Sequence, residues 1–263
     1  MIKQKLKDYF KELFKSRKLN VVLLSLFELF CIGAFIYLVC TGSYRNSIAA
    51  VLLLLVPVAI LLVEWLFKIR IPFIFLLVFM IIPIGGLLGS SFEFYSNYPW
   101  FDDFLHALSG LIFACFGFTF TEYFIGKIDT KKKFVGCLIG GFMFSLAAGL
   151  IWEMIEYAGL SLLKIDMQED SIIYEIRSFF LAGTHLESVD ITDISETIIN
   201  YGDGQSYVIN GYLDIGLNDT LFDMFVCFLG ALLYIIIFVV IYCINRKAIK
   251  FVAPYIKEET VKE

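Results

Sequence analysis

Six stretches of about 20 mostly apolar residues run through this chain, near residues 21–40, 48–67, 71–90, 103–125, 134–158 and 219–244. A bilayer core of roughly 30 Å is crossed by about 20 residues of α-helix, which satisfies every backbone amide within the segment. The pattern therefore predicts an all-α fold, a polytopic membrane protein with six transmembrane helices. Composition supports this class, since 59% of the 263 residues are hydrophobic and mean hydropathy is +0.81, beyond the usage of a water-soluble domain. Six crossings return both termini to one side.

Lysine and arginine are retained in cytoplasmic loops, so their distribution orients the spans. Of the 21 such residues, eighteen lie in residues 1–20, 68–70, 126–133 and the tail from Arg246; the others are Arg45, Lys164 and Arg177. This predicts cytoplasmic termini and an extracytoplasmic segment 164–218, whose acidic excess runs from Asp166 through Asp214. Net charge of −5 averages two opposite faces and says little about partners. The domain plan is then a basic amphipathic segment over residues 1–20, a transmembrane domain over 21–244 with 164–218 as a folded cap, and a cytoplasmic tail over 245–263. The expected location is the plasma membrane, multi-pass.

The first apolar run is long and lacks a small-residue cleavage site, so it is expected to stay as a span. Ahead of it, Ile2, Leu6, Phe10, Leu13 and Phe14 recur at helical spacing among Lys3, Lys5, Lys7, Lys11 and Lys15, the pattern of a helix lying on a membrane surface. Cys31, Cys40, Cys115, Cys137, Cys227 and Cys243 lie in or at the ends of spans without metal-type spacing and read as small core residues. Gly136, Gly140 and Gly141 suit close helix packing, and Pro57, Pro72 and Pro83 are expected to kink or start the second and third spans. In the cap, Ile198–Ile209 has a hairpin pattern around Gly202-Asp203-Gly204.

Ionisable side chains in a span are costly and face a partner or a cavity. Six fall near one end of the last three spans: Asp102 and His106, Glu153 and Glu156, Asp219 and Asp223. Positions three or four apart share a helix face, so each pair points one way. Asp102 and Asp103 alternatively cap their helix, as Asp219 does its own. Glu153 and Glu156 precede Gly159, read as a helix stop, and a helix C-terminus disfavours negative charge. They are therefore expected to need a cation, a proton or a neighbouring donor. Carboxylates with one imidazole form an oxygen-rich set suited to a divalent metal as cofactor, whether Mn, Mg, Ca or Zn. All six are candidate ligands, and Glu153, Glu156 and Asp223 are the candidate catalytic groups. Glu64 and Glu122, at inner helix ends beside lysines, read as interfacial, while Glu28 has no evident partner; His185 in the cap reads as solvated.

These motifs resemble the YjdF-type family of uncharacterised bacterial inner-membrane proteins, through Asp102 and His106 with Gly110, then Glu153 and Glu156, then Asp219 and Asp223 with Gly230 and Ala231. The likeness covers roughly residues 48–244, with a longer external segment than that family implies. A looser likeness is to VanZ-like proteins, whose Gln and Asn partners have no match here. Neither implies a defined activity. Three functions are compatible with the site: a metal-dependent enzyme or binding protein acting on a lipid-linked or envelope substrate, a proton- or ion-coupled transporter, or an acidic cluster that locks helices for a partner. Nucleotide-binding, nucleic-acid-binding and serine-nucleophile signatures are absent, so the bilayer and a lipid-linked substrate are the expected partners.

Overall fold

The computed structural model describes residues 2–257, so the end of the tail, 258–263, lies outside the described residues, as do the side chains of Ile2, Lys3, Lys5 and Leu163. The chain is mostly helical and has six helical segments long and apolar enough to cross a membrane: Lys18–Cys40, Tyr44–Phe67, Phe73–Ser91, Phe101–Ile125, Lys131–Leu162 and Leu217–Val252. It is not all-α, since short antiparallel strand pairs accompany the helices.

α1 (Ile2–Ser16) leads almost directly into α2 (Lys18–Cys40). The amphipathic face of α1 is divided, with Leu13 buried beside Tyr9 while Leu6, Phe10 and Phe14 stay exposed. The second span is α3 (Tyr44–Leu53) and α4 (Leu55–Phe67), interrupted at Leu54. Strand β1 (Ile69–Arg70) follows, and the third span is α5 (Phe73–Phe79) and α6 (Ile81–Ser91), interrupted at Met80. Leu54 and Met80 each precede a proline, Pro57 and Pro83, by three residues. A proline has no amide hydrogen for the carbonyl four residues back and its ring crowds that carbonyl, which is where the ladder breaks. Pro72 stands at the start of α5, where its extended backbone leads into the first turn.

A single turn, α7 (Phe94–Asn97), precedes α8 (Phe101–Ile125), and α9 (Lys131–Ala158) follows. Gly159 does not stop that helix. The winding widens into a π-turn over Gly159–Leu163 and ends at Lys164, whose left-handed backbone (φ 57°) breaks the repeat.

Two compact units divide the chain, one of Met1–Gly149 with Val226–Glu263, the other of Leu150–Phe225. The second unit holds three strand pairs: β2 (Ser171–Ile173) with β7 (Tyr212–Asp214), β3 (Ile176–Ser178) with β4 (Val189–Ile191), and the hairpin of β5 (Thr197–Tyr201) with β6 (Gln205–Ile209). The hairpin closes through Gly202 and Gly204, both with positive φ, as the Gly-Asp-Gly pattern implies. Between β3 and β4, one turn of helix, α10 (Phe179–Ala182), is capped by the Ser178 hydroxyl, and Arg177 grips Asp190 with two guanidinium bonds across the ladder.

α11 (Leu217–Asn245) returns the chain to the first unit and, after a 3-10 turn at Arg246–Ala248, leads to α12 (Ile249–Val252) and β8 (Tyr255–Ile256). The core of that unit gathers Phe27 and Cys31 of α2, Phe75 of α5, Phe118 of α8, Cys137 of α9, and Tyr234 with Phe238 of α11. Phe118 meets Phe238 edge-on with centroids 4.9 Å apart. Of the six free cysteines, four are buried as expected, but Cys40 and Cys243 are exposed. Small residues bring backbones together: a β-carbon at Gly110 would overlap the Cys227 carbonyl, one at Gly230 the Ala107 carbonyl, and one at Gly141 the Ala114 carbonyl. Gly140 abuts Thr121, whereas a β-carbon at Gly136 would meet only Ile125 at an ordinary 3.8 Å, so the fifth-span pattern packs tightly through only part of its length.

On the basic side, β8 pairs with β1, Ile256 opposite Ile69 and Tyr255 opposite Arg70. Thr119 of α8 donates to the Pro254 carbonyl at 2.5 Å. Glu64 is fully buried, not interfacial as its lysine-flanked position suggests. It accepts from Tyr9 Oη (2.6 Å), from both terminal nitrogens of Arg17 (2.7 and 2.8 Å) and from the Ile71 amide (2.6 Å). Arg17 and Asn20 both also donate to the Ile71 carbonyl. Glu12 extends the network, accepting from Arg70 at 3.0 Å and Lys257 at 2.6 Å.

Candidate functional site

In the first unit, α8 begins at Phe101, so Asp102 and Asp103 sit in its first turn, where the macrodipole favours negative charge. The N-cap position itself is Trp100, which makes no side-chain cap bond. Asp102 and His106 share a face as expected, with Asp102 Oδ2 3.8 Å from His106 Nε2, too long for a direct hydrogen bond. His106 is buried and Asp102 half-buried. One turn further along, Gly110 carries its carbonyl into a 2.6 Å hydrogen bond from Ser145 of α9, which fixes the two helices at this level.

In the second unit, Glu153, Glu156 and Asp223 are all buried and Asp219 is half-buried. Because the winding continues through the π-turn, Glu153 and Glu156 stand more than a turn from the helix end. The macrodipole penalty expected there is therefore weak. Trp152 Nε1 donates to Glu156 at 2.6 Å, and Thr220 lies near enough to act on Glu153. Gln168 Nε2 donates to Thr220 Oγ1 at 2.6 Å, tying the loop after α9 to the start of α11. Asp219 acts electrostatically on Glu153. At the start of α11, Asp214 takes the Asn218 amide at 2.8 Å, and Asp219 takes the Glu169 amide at 2.9 Å, pinning the loop that leaves α9. His185 is exposed, as a solvated loop histidine would be.

Sequence reasoning missed Trp152, Gln168, Thr220 and Asp214. Trp152 lies four residues before Glu156, a spacing that marks a shared helix face. Gln168 and Thr220 offered no comparable signal, because they lie 52 residues apart, whereas Asp214 stands only four residues before its partner Asn218.

Oxygen ligands with an imidazole suit hard to borderline divalent ions, and the trio Asp102, His106 and Asp223 could hold one. No ion is part of the structure.

Large apolar side chains such as Leu29, Leu55, Phe124 and Ile236 lie on the outside of the spanning helices, an arrangement that water would not tolerate over six helices. The fold and this exposed belt define a polytopic membrane protein in a lipid bilayer. More particularly, the chain belongs to the family described as Predicted membrane protein (DUF2238), which matches residues 22–243. No curated protein and no solved structure matches it.

Proposed function

We propose that this chain holds a divalent cation through Asp102, His106, Glu153, Glu156 and Asp223, and that the cation serves an enzyme or binding protein acting on a lipid-linked or envelope substrate. In this reading the basic side is cytoplasmic, the site faces outward from the plasma membrane, and the family is of the YjdF type. The observation that carries the proposal is the burial of His106, Glu153, Glu156 and Asp223 near the ends of membrane-spanning helices, where ionisable groups are costly and a cation would answer the charge of the carboxylates. A carboxylate not engaged by the ion, Glu153 or Glu156, would act as general base, and the ion would polarise a phosphate or activate water.

Asp219 fits a different role. Its bond to the Glu169 amide favours a positioning carboxylate that holds the loop after α9, the one place where the helix-locking alternative gains specific support.

Elemental analysis of detergent-purified protein tests the reading. Wild type is expected to carry close to one Mn or Zn per chain, and His106→Ala or Asp223→Asn to lower affinity by about 10–100-fold, as loss of a ligand shell does. Absence of metal from folded wild type after supplementation with both ions would overturn it.

A further inference from the structure

The candidate acidic site makes no use of α1, an amphipathic helix on the basic side of the first unit. Its 15 residues extend for about 22 Å, too short to cross a hydrocarbon core of about 30 Å. Only Arg17 separates it from α2, the first spanning helix. Its partners fix its depth. Tyr9 and Arg17 both bond the carboxylate of Glu64, close to the end of the second span at Phe67. Between them in sequence, Glu12 accepts from Arg70, in the connection to the third span, and from Lys257, beyond the sixth. These contacts all lie at or just past the ends of spanning segments, so α1 runs across those ends and not down beside them.

The helical repeat then says which flank is turned where. At about 100° per residue, Tyr9 and Leu13 lie on one flank, Leu6, Phe10 and Phe14 on the next, and Gln4, Lys7, Lys11 and Lys15 on the far side. The first flank packs into the bundle, with Tyr9 7% and Leu13 3% exposed. The far side is polar and exposed at all four positions. Between them the second flank is apolar and open, with Leu6 40%, Phe10 38% and Phe14 59% exposed. These three form one contiguous stripe at a spacing of four, the kind of surface that marks an interaction.

We propose that this flank is inserted in the interfacial layer of the bilayer, with Leu6, Phe10 and Phe14 against the first carbons of the acyl chains. Lipid on one flank and the Glu64 carboxylate on the other then hold α1 in place together. The depth of the helix selects the occupant: α1 is joined through one residue to a span, and its fastenings sit where the spans meet the membrane surface. At that level an apolar side chain turned away from both the bundle and the polar side meets lipid. Amphipathic helices bury such a face about 5–10 Å into the boundary between headgroups and acyl chains.

Photolabelling of the full wild-type chain in phosphatidylcholine vesicles tests this, with a small fraction of the lipid carrying a diazirine near the carboxyl end of one acyl chain. Peptide mass spectrometry is expected to find label at Leu6, Phe10 and Phe14, as on the outward side chains of the spans, and none at Gln4, Lys7 or Lys11. Phe10→Glu with Phe14→Glu should lower labelling of α1 about tenfold for each ring withdrawn, the factor that goes with burying one such side chain, while the spans stay labelled. An unlabelled α1 beside labelled spans, label on the lysine side, or cross-linking of the stripe to a second copy of the chain in place of lipid would overturn the proposal. The wild-type pattern decides the question even if the double variant fails to fold.

Discussion

Two sets of buried acids divide this protein. Glu64, on the basic side, is surrounded by a tyrosine, an arginine and a backbone amide, each with a short hydrogen bond. Glu156, in the other set with Glu153 and Asp223, takes the Trp152 indole at 2.6 Å. The first arrangement neutralises a charge with a matched cation and fixes its geometry. The indole orients a carboxylate without itself cancelling the charge. Burial alone therefore does not say how an acid is held.

The comparison breaks most clearly by removing one acid from each side. Glu64→Ala strands the Arg17 guanidinium, and the loss of one member of a buried pair is expected to cost about 3–5 kcal/mol. Asp223→Asn, by contrast, is expected to change stability by less than about 1 kcal/mol or to raise it, because functional acids are held against stability. Thermal unfolding in a single detergent compares the two, and equal losses would make the acidic side a helix lock. A finer test is Tyr9→Phe, which removes one bond to the Glu64 carboxylate and is expected to cost about 1.5–3 kcal/mol in the same assay.

The smallest effect concerns pH. Burial opposes ionisation of Glu12, but Lys257 and Arg70 outweigh it and hold the carboxyl below its ordinary value of 4.5. With the folded value depressed, its contribution is complete above the ordinary value and is lost as pH falls through the folded one. Amide exchange at Tyr255 and Ile256 should therefore quicken below about pH 4.5 in wild type, and Glu12→Gln should flatten that dependence. Exchange that stays unchanged with pH would detach Glu12 from the β1–β8 pair.

The six spans were legible because length and apolarity suffice for a membrane crossing, and the breaks at Leu54 and Met80 followed from Pro57 and Pro83. The pairing of Asp102 with His106 on one face was legible from a spacing of four. The role of Glu64 was hidden, since Tyr9, Arg17 and Ile71 come from other elements and only folding selects them over Lys68 next door. The bond from the Glu169 amide to Asp219 was hidden because the two lie 50 residues apart in sequence. The β1–β8 pair escaped notice because two residues per strand leave no periodicity to read.

That small pair also orders events in time. Ile69 leaves the ribosome after two spans, whereas Ile256 appears only after the sixth. Until then the edge of β1 has no strand of β8 beside it, and Glu12 lacks its Lys257 partner. A chain without residues 255–257 would keep its spanning helices yet leave this end unfastened.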